Sequence, residues 1–225
     1  MSVPVITIDG PSGAGKGTIS QSLAKHLGWH FLDSGAMYRL CGLACLKQNV
    51  PFDDEASVAE VAQALDIAFK VIDGGLETYL NGEEVTAELR TEQGGAAASK
   101  VAAINAVREA LKARQQDFAQ MPGLIADGRD MGTVIFPDAF LKVYLTATAE
   151  ERALRRFKQL QEAGETVNLA AILGEIQARD DRDMNRAVSP LKPADDAIII
   201  DSTNMSIEAV FDAILQLIEE RKLVN

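Results

Sequence analysis

Side chains that bind metals or form disulfides are scarce in this sequence. Cysteine occurs only as Cys41 and Cys45, and histidine only as His26 and His30, among 225 residues. The two cysteines lie four apart in the apolar stretch 40–46 and would share one face of a helix. Core thiols in a reduced compartment are the simplest reading. A four-ligand zinc site is formally possible, yet nothing in the spacing supports it, and no resident metal is expected. Long apolar runs are absent too. None reaches the roughly 18–20 residues of a membrane span, so no membrane partner is expected. No basic stretch leads into an apolar signal region, so nothing directs export and a cytoplasmic location is expected. Positive charge is in deficit: 22 Lys and Arg against 33 Asp and Glu give −11. A nucleic-acid surface would need the reverse balance, which leaves room only for a local basic pocket. Internal repeats and low-complexity linkers are also missing.

What is present suffices for one domain with an insert, expected as a monomer. Hydrophobic residues make up 47%, enough for a substantial core. Apolar runs of strand length alternate with amphipathic stretches of helix length. Residues 4–8 read as a buried strand through Val5, Ile6 and Ile8. Residues 16–27 read as a helix with Ile19, Leu23 and Leu27 on one face and Gly28 as its stop. Residues 30–32, 123–126, 140–146 and 197–200 read as further strands, and residues 38–47 as a helix. Helices follow the last two strands. One opens on the capping box Thr148-Ala149-Glu150-Glu151; the other, 206–221, carries Ile207, Val210, Phe211, Ile214 and Ile218 at helical spacing. Strands interleaved with helices predict an α/β fold, a five-stranded parallel sheet covered on both faces.

Residues 66–90 break that rhythm. Residues 67–72 end in Asp73-Gly74-Gly75, residues 76–80 end in Asn81-Gly82, and residues 83–85 form a candidate third strand. Asn-Gly between strands is a strong hairpin signal. A small antiparallel β insert is predicted. An ordinary surface hairpin and an acceptor-binding lobe both fit it.

The segment Gly10-Pro11-Ser12-Gly13-Ala14-Gly15-Lys16-Gly17-Thr18 follows the first strand and opens the first helix. That is the context of a phosphate-binding loop. Glycines let several backbone N–H groups face one anion, and the helix N-terminus adds partial positive charge. Lys16 adds a full charge beside the transferring phosphate. The general pattern places Ser or Thr directly after the lysine; here Gly17 intervenes and the hydroxyl comes at Thr18. Thr18 then reads as a phosphate ligand rather than a direct magnesium ligand, as in nucleoside monophosphate kinases, which the variant Gly-Lys-Gly-Thr resembles.

A phosphate loop alone fits a GTPase switch, a motor ATPase or a small-molecule kinase. No Asn-Lys-x-Asp base-reading motif is present. Leu124-Ile125-Ala126-Asp127 is followed at once by Gly128-Arg129-Asp130, which puts an arginine between two acids at a strand's carboxyl end. Open α/β sheets bind ligands there. Arginines suit phosphoryl transfer because its transition state spreads negative charge over several oxygens. Arg152, Arg155 and Arg156 fall on one helix face, as a charge-supplying lid or a solvated face would give. Arg179, Arg182, Asp183 and Arg186 form a second stripe if helical, ending at Ala187-Val188-Ser189-Pro190. Surface salt bridges would give that stripe as well. Ser34 is placed to cap the next helix, and Arg39 lies one turn inside it.

Four segments together resemble the bacterial cytidylate kinases, a family of nucleoside monophosphate kinases. They are residues 8–18, 32–39, 126–134 and 179–186, and the similarity runs nearly the whole length. The resemblance implies a P-loop NTPase-type three-layer sandwich. Its core would be residues 1–65 and 91–225, its acceptor-binding insert residues 66–90, and its short lid residues 148–165. It implies transfer of phosphate from ATP, with Mg2+, to CMP or dCMP. Lys16, Arg129, Arg152 and Arg156 are then the expected catalytic charges. Ser34, Arg39 and Arg129 match acceptor-phosphate ligands, Ser99, Arg108, Asp130 and Arg186 match cytosine-pocket residues, and Arg179 and Asp183 match sugar or phosphate contacts. Asp127 and Asp9 are candidates for holding magnesium through water. An aspartate accepting from cytosine's amino group would face uracil's carbonyl with repulsion, which makes Asp130 a selector. A kinase for another small acceptor, such as another nucleotide, a sugar acid or shikimate, remains an alternative, as does a non-catalytic nucleotide-binding module.

Overall fold

Strands that are apolar on successive residues need cover on both faces, and the computed structural model supplies it. It describes residues 3–72, 75–89 and 91–221. The order is β1 (Val5–Asp9), α1 (Lys16–Leu27), β2 (His30–Asp33), α2 (Ser34–Lys47), α3 (Glu55–Ala64), β3 (Ile67–Ile72), β4 (Gly75–Leu80), β5 (Glu83–Glu84), α4 (Thr86–Leu89), α5 (Glu92–Val101) and α6 (Asn105–Gln116). Then come β6 (Leu124–Gly128), a single π-helical turn at Met131–Ile135, β7 (Leu141–Thr146), α7 (Ala149–Glu162), α8 (Leu169–Asn185), β8 (Ile198–Asp201) and α9 (Ile207–Glu220).

The main sheet has five strands in the order β2-β6-β1-β7-β8, with every pair parallel. Alternation along each strand divides the core. Val5, Leu124 and Ala126 pack with Met37, Leu40, Cys41 and Leu111 on one side. Ile6, Ile8 and Ile125 pack with Ile19, Leu23, Ile214 and Ile218 on the other. Cys41 and Cys45 are free and buried on α2. The register aligns Asp33 with Asp127, and Asp127 with Ile8, so the polar residues at the strand ends emerge at one level.

The predicted insert is a three-stranded antiparallel sheet, β3-β4-β5, with Ile67 opposite Leu80 and Ile72 opposite Gly75. Asp73 and Gly74 of the expected first turn, and residue 90 at the insert boundary, lie outside the described residues. Phe31 of β2 meets Phe69 of β3 edge-on, with ring centroids 6.5 Å apart. After the insert, α5 lies so close to α2 that a Cβ on Gly42 would fall 2.8 Å from Ala97 Cβ.

Two local expectations need correction. The helix expected over 38–47 begins at Ser34, and Asp33 caps it, accepting from the Ala36 N–H at 2.8 Å. A carboxylate one residue earlier reaches the free N–H groups, so the Ser34 hydroxyl is not the cap. The stripe 179–186 is not one helical face either. α8 stops at Asn185, Arg186 has extended backbone just past it, and Arg182 is exposed.

Because α2 and α5 touch through Gly42, overpacking there has a defined cost. Gly42→Val is expected to destabilise the protein by about 1–3 kcal/mol, read as a lower urea midpoint at unchanged slope.

Candidate active site

The phosphate loop is forced into shape by its glycines. Gly10 has φ +147°, and a Cβ there would fall 1.9 Å from the Leu145 carbonyl oxygen of β7. Gly13 and Gly15 also have positive φ, at 81° and 95°. Gly15 precedes α1 and has no side chain to cap it, so the first N–H groups of the helix face the loop's hollow. The loop's outer side is tied down. Arg152 Nη1 donates to the Ser12 carbonyl at 3.0 Å, and Ser202 Oγ donates to the Ala14 carbonyl at 3.3 Å. Lys16 is buried at the base, donating from Nζ to the Pro11 carbonyl at 2.9 Å.

Three strand-end carboxylates stand below this loop. Asp127 Oδ1 lies 4.0 Å from Lys16 Nζ. Burial pushes the Asp127 carboxyl up to about 7; Lys16 opposes the rise and Asp33 adds to it. Burial likewise lowers the Lys16 ammonium from its ordinary value, with Asp127 opposing. Asp9 is pushed up to about 6 by burial, although it accepts two backbone hydrogen bonds. These come from the Met131 N–H to Oδ1 at 2.8 Å and the Gly132 N–H to Oδ2 at 2.7 Å.

Beside them, β6 delivers Arg129 and Asp130. Arg129 Nε donates to Asp183 Oδ2 of α8. Arg108 Nη2 of α6 donates to Asp130 Oδ2 at 2.6 Å, and Arg186 Nη2 lies 3.8 Å from the same oxygen. Both contacts use Oδ2. The Arg108 guanidinium also lies over the Tyr38 ring, 5.6 Å from its centroid. Arg179 is lowered to about 10, first by burial and then by the Arg129 guanidinium, with Arg39 and Arg182 adding and Asp183 opposing. Guanidinium groups from α2, β6 and α8 therefore crowd one another. Ser34 is buried at the start of α2 on the same sheet end.

Lys16, Arg39, Arg108, Arg129, Asp130, Arg179, Asp183 and Arg186 are thus drawn into one electrostatic neighbourhood. Ser99 is joined to it by no hydrogen bond or ion pair among the described residues. It is exposed on α5, with its hydroxyl on the Gly95 carbonyl at 3.2 Å. The three arginines of α7 part company. Arg152 is buried, holding both oxygens of Asp180 and the Ala147 carbonyl. Arg155 bonds Glu151 and the Ser202 carbonyl, and Arg156 is exposed against Gln159. Asp33, Tyr38 and Asp180 received no role from the sequence. Asp180 lies 28 residues from its partner, beyond any local pattern.

A phosphate loop, a crowded arginine cluster and a carboxylate flanked by two arginines now share the carboxyl end of one parallel sheet. The cytidylate kinase family model matches residues 6–220. The chain belongs to the cytidylate kinase family. A cytidylate kinase of Aeromonas hydrophila is 57% identical over 218 residues, covering 97% of this chain and 95% of that one. One from Klebsiella pneumoniae is 55% identical over 222 residues, covering 99% and 98%. Among solved structures, an uncharacterized protein from Eubacterium ventriosum shares the fold at a TM-score of 0.52 and 12% identity, covering 96% of this chain and 98% of that one.

The raised carboxyls set a pH dependence for this kinase fold. Asp9 and Asp127 titrate near 3.8 when unfolded and at about 6 and about 7 when folded. Between those limits the folded state holds more protons, so stability falls as pH rises through the window. The lowered carboxyls Asp54, Asp196, Asp201 and Glu208 act in the opposite sense, below their ordinary values of 3.8 to 4.5. The urea midpoint of the ligand-free protein is expected to drop from pH 5 to pH 8, and Asp127→Asn to flatten that slope.

Proposed function

We propose that this chain transfers the terminal phosphoryl group of ATP to CMP or dCMP, with magnesium, giving ADP and CDP or dCDP. The observation that carries this reading is Asp130 with Arg108 and Arg186 on one oxygen, placed beside a phosphate loop. Among the described residues both arginine contacts fall on Oδ2, which makes Oδ1 the natural acceptor for cytosine's amino group. Arginines 108 and 186 would donate to the ring acceptors. Ser99, exposed on α5, would add a hydroxyl to that pocket.

Arg39, Arg129 and Arg179, with Ser34, would bind the acceptor phosphate. Burial and then the neighbouring guanidinium groups lower Arg179, and a phosphate dianion would offset both. Asp183 holds Arg129 in place meanwhile. Transfer would be direct and in line, with no covalent enzyme intermediate. The acceptor phosphate is already largely ionised at neutral pH, so no strong general base is required. Lys16 and the α1 N-terminus would take the donor phosphates. Arg152 sits against the loop at Ser12, and Arg156 on its exposed face would add charge as residues 148–165 close over ATP. Closure would exclude water and suppress ATP hydrolysis. Residues 66–90 would serve as the acceptor-side lobe.

Magnesium takes one or two carboxylates plus substrate phosphates. Among the described residues, no group of three His, Cys, Asp or Glu is set to hold a metal by itself. Asp127 fits the role because its buried carboxyl, raised by burial, gains from a nearby cation, and Lys16 stands no closer than 4.0 Å. Asp9 fits less well, since both its oxygens already accept backbone N–H groups. The ion would neutralise charge on the transferring phosphates.

Cytidylate kinase relatives over 55% identical disfavour an acceptor of another class and a non-catalytic role. Lys16→Ala is expected to lose about 100-fold or more in kcat with an unchanged circular dichroism spectrum. Wild-type-like turnover would remove Lys16 from the mechanism. Asp130→Asn keeps the shape of the base pocket and is expected to cut the CMP-over-UMP preference in kcat/KM by about tenfold or more. An unchanged ratio would put the base elsewhere.

A further inference from the structure

We infer that Asp9 is a positioning residue that sets the spacing between the phosphate loop and the acceptor pocket. Asp9 ends β1 and directly precedes Gly10, where the loop begins. It is buried, and both its carboxylate oxygens accept backbone N–H groups from Met131 and Gly132. Those two residues open the π-helical turn that follows Arg129 and Asp130.

A helical turn begins with unsatisfied N–H groups, usually capped by the preceding side chain. Here the preceding residue is Asp130, which makes no side-chain cap bond and turns Oδ2 to Arg108. A carboxylate from another strand, over 120 residues away in sequence, caps the turn instead. Asp130 is thereby left for the pocket, and the backbone that carries Arg129 and Asp130 is bolted to the residue that starts the phosphate loop. The fit is tight from the other side as well. A Cβ on Gly132 would lie 2.9 Å from Thr7 Oγ1 and 3.3 Å from Asp9 Oδ2. In-line transfer is sensitive to misplacement of about 1 Å, so this clamp bears on the alignment of donor and acceptor. The inference rests on Arg129 and Asp130 being the acceptor side, as proposed above.

Asp9→Asn tests it. The amide keeps one acceptor and turns its NH2 toward the other backbone N–H, which loosens the turn without changing its volume. Wild-type turnover of CMP is measured first; its absence would sink the functional reading itself. Given that turnover, Asp9→Asn is expected to raise the KM and the calorimetric Kd for CMP by about tenfold or more and to lower the CMP-over-UMP ratio. The Kd for ATP alone should stay within about threefold. A purely structural Asp9 would lower thermal stability and leave those constants unchanged in the folded fraction. Unchanged CMP binding, or equal losses for CMP and ATP, would overturn the inference. If Asp9→Asn does not fold, Gly132→Ala, which displaces the same turn from its other side, is expected to show the same CMP-selective loss. Failure of both to fold would assign Asp9 to stability alone and overturn the positioning role.

Discussion

Charge buried at the carboxyl end of β1 and β6 constrains everything around it. Lys16, Asp9, Asp127 and Asp130 are each less than a tenth exposed. Burial displaces Lys16 downward and Asp9 and Asp127 upward. An ion removed from water survives only where partners replace its hydration. Asp9 and Asp130 take theirs from distant elements, a backbone turn and α6, while Lys16 uses a carbonyl of its own loop. The parallel register that aligns β1, β2 and β6 is what lets these groups meet, and Gly10 against Leu145 is what lets the loop curl over them. Imperfect neutralisation is useful in a site of this kind. Guanidinium groups that repel one another gain most from an arriving polyanion.

The whole-chain charge of −11 gives no hint of this local cationic field. Net charge reports the average surface, whereas a site depends on which few side chains the strand ends bring together. The main sheet was legible because its strands are local apolar runs, such as Val5, Ile6 and Ile8. The hairpin over Asn81-Gly82 was legible because turn chemistry is local as well. Residues 92–101 were opaque, being rich in glycine and alanine, with no apolar period to mark a helix. α5 exists because Ala97 fits against Gly42 of α2, and that reason is tertiary.

The same division runs through the site. Arg129-Asp130 and the phosphate loop stand out as motifs because chemistry and spacing coincide in a few residues. The three arginines of α7 looked equivalent at helical spacing, and they differ because their partners differ. Asp180 draws Arg152 inward, Ser202 draws Arg155 sideways, and Arg156 bonds Gln159 on its own helix. Side-chain spacing fixes direction around a helix; it does not fix what lies in that direction.

α8 connects the two halves of the chemistry. Asp180 and Asp183 are three residues apart, and each holds an arginine from a different side. Asp180 holds Arg152, which supports the loop at Ser12; Asp183 holds Arg129, which follows β6. Adjacent turns of one helix thus anchor the arginine at the phosphate loop and the arginine after β6. Removing one partner of a buried pair strands the other's charge, so Arg152–Asp180, the more buried of the two, resists breaking more strongly than its net contribution to stability suggests. A shift of α8 as a rigid rod would carry both arginines together. The phosphate loop and the segment that carries Arg129 are then tied together twice, through α8 and through Asp9. One route is backbone and fixed at the strand ends. The other is made of side-chain ion pairs carried by α8, which packs against α7.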